Sequence, residues 1–203
     1  MSALLVLVRH ELRLLAGLGL WVTRRRHGIG DGSAFGYARG QGPVMFGFAF
    51  VCVIESITMS VLLRDHPAVH RVVLVLDVYT VVLVVAMHAA SVVRPHVLDG
   101  GSLRVRRAAH VDLRIPLERI ARVRREPRTI HRRAEGELDV VIGAQTSVTL
   151  ELTEPVAHVT FLGRRREVRL VRLHADDADG LVRAVQALRQ ARTAPSAPAD
   201  PPG

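Results

Sequence analysis

The sequence predicts a membrane α-helical hairpin of two transmembrane helices, followed by an α+β, mainly-β domain that a C-terminal helix closes. Three observations predict it. Two apolar runs, residues 44–63 and 72–93, have the length of about 20 residues that crosses hydrocarbon as a helix, and only RDHPAVHR separates them. After Arg94 the apolar period falls to two, the period of half-buried strands. Near residue 176 the spacing becomes helical again.

Composition sets the frame for these elements. The chain has 203 residues, 49% of them hydrophobic, which suits one membrane module and one small folded domain. All 28 basic side chains are Arg, with no Lys, and Ala and Val abound, the composition of a GC-rich and bacterial genome. The formal charge of +9 raises the question of nucleic acid. Membrane proteins, however, concentrate positive charge on cytoplasmic segments. With only 4% aromatics there are few stacking platforms, so nucleic acid is disfavoured. The lone Cys52 excludes an intrachain disulfide and a thiolate metal cluster.

Residues 1–43 read as an N-terminal amphipathic helix and a Gly-rich loop. In residues 3–22, ALLVLVRHELRLLAGLGLWV, the charges Arg9, Glu11 and Arg13 interrupt the middle, so the helix lies at the interface or packs on the soluble domain. Its charges follow the apolar residues, which does not fit a cleaved signal peptide. The stretch GIGDGSAFG resembles a phosphate-cradling turn only in its glycines: no strand precedes it and no Lys follows.

Residues 44–94 form the hairpin, with the linker bounded by Arg64 and Arg71. Arg24, Arg25, Arg26 and Arg39 precede it, and Arg94, Arg104, Arg106 and Arg107 follow it. This bias predicts a multi-pass inner (plasma) membrane protein with both termini cytoplasmic.

Residues 95–192 form the cytoplasmic domain. Alternation marks strands at LRVRR (103–107), VDLRI (111–115), LDVVI (138–142), SVTLELT (147–153), AHVTFL (157–162) and EVRLVRL (167–173). Gly100–Gly101, Gly143, Pro155 and Gly163 supply the turn signals. In DDADGLVRAVQALRQ, Leu181, Ala184, Val185 and Leu188 share a helical face, with Asp176 placed to cap it. Residues 193–203, Pro- and Ala-rich, have nothing to bury and read as a disordered tail.

The stretches RPHVLDGGSLRVRRAAHVDLRIPLERIARV and HADDADGLVRAVQAL resemble the bacterial pleckstrin-homology-like domain of small membrane proteins. The likeness rests on a strand leading into Ile115, Pro116, Leu117, Ile120 and Val123, and on a closing helix behind an acidic cap. It implies a curved sheet that serves as a binding or assembly platform, and no enzyme. Eukaryotic pleckstrin-homology domains hold phosphoinositides with Lys and Arg in the first hairpin. Here the hairpin offers Arg104, Arg106 and Arg107 without Lys, which leaves weaker contact with an anionic inner leaflet.

Two sets of residues stand out as candidate sites. Glu55 and Asp77 lie about 14 and about 9 Å below the outer boundary at ~1.5 Å per residue, and His88 lies about three turns beyond Asp77. Ionisable groups at such depth should face protein. They either share a proton across the hairpin, or with a second protomer or another membrane protein, or they line a proton or cation route in an oligomer. The second set comprises Arg104, Arg106, Arg107 and Arg114, expected to point outward at lipid headgroups. Residues 104–133 hold eleven Arg against three acids, a net +8, whereas residues 134–163 hold five acids and no Arg. The competing expectation pairs these arginines with Glu135, Glu137, Glu151 and Glu154. His66 and His70, beside Pro67, lack a third converging ligand, so neither a metal nor a cofactor is expected.

Overall fold

The computed structural model describes residues 12, 16–23, 30–108, 111–131, 134–160 and 163–193. The charged middle of the expected N-terminal helix, Arg24 to Arg26 and the expected disordered tail beyond 193 lie outside them. Residues 16–22 are helical. A Cβ on Gly17 would come within 3.2 Å of Ala90, and Leu18 packs in a cluster with Ala86 and Ala90. This part of the N-terminal helix therefore lies on the hairpin.

The two apolar runs form α1, Gly42–Leu62, and α2, Pro67–Val93. Each has a proline in its first turn, where the missing N–H costs nothing. Both are long and apolar enough to cross a membrane. Their outer faces are bare: Phe50 is 64% exposed and Val75 68%. Contiguous apolar surface on that scale needs lipid or protein to cover it.

Among the described residues, eight strands make two four-stranded sheets. In the first, β1 (Ser33–Phe35), β2 (His96–Leu98), β3 (Ser102–Arg107) and β4 (Val111–Pro116) pair antiparallel in that order. In the second, the order is β5 (Ile120–Arg128), β7 (Thr146–Val159), β8 (Arg165–Leu173), β6 (Glu137–Val140). Here β6 runs parallel to β8. A short 3-10 turn, Leu117–Arg119, carries the chain between the sheets. Leu103, Val105 and Ile115 from one sheet meet Leu150, Val171 and Leu173 from the other in one fully buried core. The helix α3, Ala178–Thr193, closes it with Leu181 and Val185, while Ala184 and Leu188 pack at its margin.

Several expectations needed correction. The Gly-rich segment is not all loop: Ser33, Ala34 and Phe35 pair with Leu98, Val97 and His96. Pro155 does not end a strand. β7 runs through it with a register shift between Glu151 and Val156, and a bulge tolerates a residue without N–H. β5 was hidden because its arginines leave only Ile120 and Val123 buried, too few for alternation to show. The cap of α3 is Asp177, whose Oδ1 accepts the Gly180 N–H at 2.8 Å, and not Asp176.

Candidate functional site

The hairpin polar groups are set by its register. His70 Nε2 lies 3.1 Å from Ser60 Oγ, and the His88 ring packs on Phe46 with centroids 5.2 Å apart. These contacts bring Asp77 to the level of residues 53 to 57. Asp77 and His88 both lie on the stripe of α2 that faces α1, and Asp77 Oδ2 and His88 Nδ1 are buried without a hydrogen-bond partner. Glu55 sits at a similar depth but about 60° round the helix from the buried Cys52, on an exposed stripe. It makes no hydrogen bond or ion pair among the described residues. The carboxyl–carboxyl contact expected inside one hairpin is therefore not provided, because one acid points inward and the other out. In hydrocarbon an outward carboxylate would cost ~2.5 to 3.5 kcal/mol on insertion scales.

At the C-terminal end of α2 four segments meet on one side chain. Tyr37, fully buried, stands two residues beyond β1. Its hydroxyl accepts the Ala108 N–H at 2.7 Å and is hydrogen-bonded to Ser91 of α2, and its ring tilts against His96 with centroids 4.8 Å apart. Burial pushes the phenol up to about 12. Ala108, between β3 and β4, holds φ 45°, the left-handed region, which aims its N–H at that oxygen. Only Arg94 and Pro95 separate α2 from β2.

His96 is buried completely and fully partnered. Its Nε2–H donates to the His174 carbonyl at 2.9 Å, and its Nδ1 accepts the Arg106 N–H at 3.1 Å. That pair of bonds selects the neutral Nε2–H tautomer. Burial brings its titration down to about 4. Two residues on, Asp176 accepts the Arg39 N–H and donates its own N–H to the Gly36 carbonyl at 2.8 Å. A Cβ on Gly36 would sit 2.9 Å from Asp176 Oδ2, so the carboxylate would have to shift to admit one. Beside this joint lies a cleft of about 530 Å³ lined by Tyr37, Arg39, His88, Ser91, Asp176 and Asp177, polar groups of both signs where the hairpin meets the domain.

The four arginines expected at a leaflet differ from one another. Alternation does turn Arg106 away from the core, but that side lies against the hairpin end, near Tyr37 and Arg94, and Arg106 is only 4% exposed. It cannot reach headgroups. Arg104 is clamped by Asp112 through two bonds of 2.6 Å. Arg114 donates to Ser102 Oγ at 2.7 Å and lies 3.4 Å from Asp99, yet stays largely exposed. Arg107 is exposed. The segmental charge asymmetry is also partly offset in space, because basic β5 pairs with acidic β7. Arg124 meets Glu151 at 3.1 Å, Arg119 meets Glu154 at 3.6 Å, and Arg172 meets Glu137 at 2.6 Å.

Sequence reasoning missed Tyr37 and His96, and placed Asp176 as a helix cap instead of at this joint. Phe35 and Tyr37 do stand two apart, strand spacing inside a glycine-rich stretch, and that was the available signal. Among the described residues no three His, Cys, Asp or Glu side chains converge to hold a metal ion. No protein-family model matches the chain, and no curated protein or solved structure matches it significantly.

Proposed function

We propose that this chain is a non-enzymatic integral membrane protein, anchored in the inner membrane by α1 and α2, whose cytoplasmic domain is a binding and assembly platform. The observation that carries the reading is the joint at Tyr37. A hairpin with bare apolar faces passes through two residues into a folded domain, and one buried tyrosine ties the N-terminal segment, α2, β2 and the β3–β4 turn together. Such a joint makes anchor and platform one mechanical unit, without a flexible linker. Two sheets closed by a C-terminal helix support a pleckstrin-homology-like reading of the domain, from which the parallel β6–β8 pair departs. Contact with an anionic leaflet falls chiefly to Arg107 and Arg114, the exposed members of the set.

A second reading, a small oligomeric transporter, draws on Asp77 and His88 along one stripe. Two helices cannot enclose a water-filled route, so it requires several copies. Reporter fusions at residues 40, 67 and 193 test the first reading, with only the fusion at 67 expected outside. A C-terminus outside would overturn it. Purified protein in proteoliposomes should pass neither protons nor cations, and a flux abolished by Glu55→Gln would replace the platform with the transporter.

A further inference from the structure

We propose that α1 carries a self-association face centred on Glu55 and that a second copy of this chain covers it. The inference rests on membrane insertion of the hairpin. The face of α1 toward α2 contains Ala49 and Cys52, which are buried. Next to it runs a stripe of Phe48, Val51, Glu55, Thr58 and Leu62, all exposed. Its alternating spacing of three and four residues is that of a helix–helix seam.

The polar side chains of α1 decide which exposed stripe is the interface. α1 has four, Glu55, Ser56, Thr58 and Ser60. Ser56 and Ser60 are part-buried, and each has a partner: Ser56 donates to Cys52 O and Ser60 meets His70. The two exposed ones, Glu55 and Thr58, both fall on this stripe. Thr58 donates its hydroxyl hydrogen to the Ile54 carbonyl at 2.9 Å, which leaves its oxygen lone pairs as acceptors. An unpaired carboxyl at mid-span is strongly disfavoured, so whatever covers the stripe must offer it a hydrogen-bonding group at the same depth.

A second copy meets that requirement through symmetry. A two-fold axis along the membrane normal puts equivalent residues at equal depth, and two-fold dimers are the commonest closed assembly. Glu55 then faces the partner's carboxyl across the axis, with one proton held between the two groups, and Thr58 lies one turn away on the same seam. A single polar residue in an apolar seam also fixes register, since any slip leaves two acids unpaired.

The test uses the full-length chain in native membranes with Cys52→Ala as background. Val51→Cys and Thr58→Cys on the seam should give disulfide-linked dimers on mild oxidation, whereas Phe50→Cys and Ile57→Cys on the far side should not. Adding Glu55→Leu to Val51→Cys should lower the dimer yield roughly tenfold, and Glu55→Gln, which keeps hydrogen bonding, should retain most of it. Equal cross-linking from both sides, none from either, or Val51→Cys joined only to a different protein would each overturn the proposal. Alkaline carbonate extraction separates the two failures. A chain released by carbonate defeats the membrane reading itself, and a retained chain that does not cross-link defeats the dimer alone.

Discussion

Acidification should destabilise this protein chiefly through His96. In the fold its ring is neutral, with Nε2–H donating to His174 and Nδ1 accepting from Arg106, and burial brings its titration from 6.5 down to about 4. Between those values the unfolded chain binds a proton that the folded chain refuses, so stability falls as pH falls. The contribution is complete above about pH 6.5, declines through the window, and is gone below about pH 4. At 1.36 kcal/mol per decade the displacement corresponds to about 3 kcal/mol, a large share of a typical domain's stability. Urea midpoints of the full chain in detergent, taken by circular dichroism from pH 7.5 to pH 4.5, should show the loss. Other buried histidines, His158 and His174, titrate low for the same reason, so the comparison must be with His96→Gln. That variant is less stable at neutral pH, having lost the acceptor for Arg106 N–H, but its midpoint should change less with pH. Parallel pH profiles for the two proteins, or a His96 resonance titrating near 6.5 in the folded chain, would refute the reasoning.

Other consequences are measurable in the same way. Ala144 holds φ 63° in the exposed turn between β6 and β7, so Ala144→Gly should raise the urea midpoint, by about 1 kcal/mol of stability. Arg172→Gln strands Glu137 and Asp139, both largely buried, and should cost about 3 kcal/mol; an unchanged melt would show that water replaces the guanidinium. A fragment of residues 95–193 lacks β1 and Tyr37, and should melt well below the domain in the full chain, with fast exchange of the Ala108 amide. A spin label at Arg107→Cys, with Cys52→Ala, should report contact with headgroups in nanodiscs containing anionic lipid; the same label at Arg106 should stay immobile in either lipid.

What the sequence made legible followed periodicity. The hairpin was readable because two runs of apolar residues are long, and α3 because Leu181 and Val185 recur at helical spacing on an otherwise charged helix. β3 and β4 alternate cleanly, since one face is core. Where both faces of a strand carry arginine, as in β5, the pattern vanishes, although pairing with β7 partly offsets those charges. The candidate site was harder still. Glu55 and Asp77 could be recognised as anomalous in an apolar run, but the side on which each projects depends on hairpin register, set by His70 with Ser60 and by His88 with Phe46. Arg106 shows the same limit: alternation turned it from the core, and only tertiary packing shows that the space beyond is occupied. Tyr37 and His96 lie in different segments, and nothing local announces a contact across 59 positions.

The joint and the proposed association face together would give the proposed platform a defined geometry. Pro95 has its φ fixed by its ring, and β2 begins at the next residue, so any tilt of α2 carries His96 with it. His96 cannot follow alone, because its ring nitrogens are bonded to Arg106 on β3 and to His174 at the end of β8. Those two strands belong to different sheets, and the whole core is packed between them. A tilt of α2 is therefore transmitted to the domain as a rigid rotation, because local adjustment would break buried hydrogen bonds of about 1 to 3 kcal/mol each. In the proposed dimer seamed at Glu55, the crossing angle of the two α1 helices fixes the spacing between the two strand-rich domains. A partner that binds both domains at once would then favour one crossing angle over others, and by reciprocity the hairpin interface would set that partner's affinity.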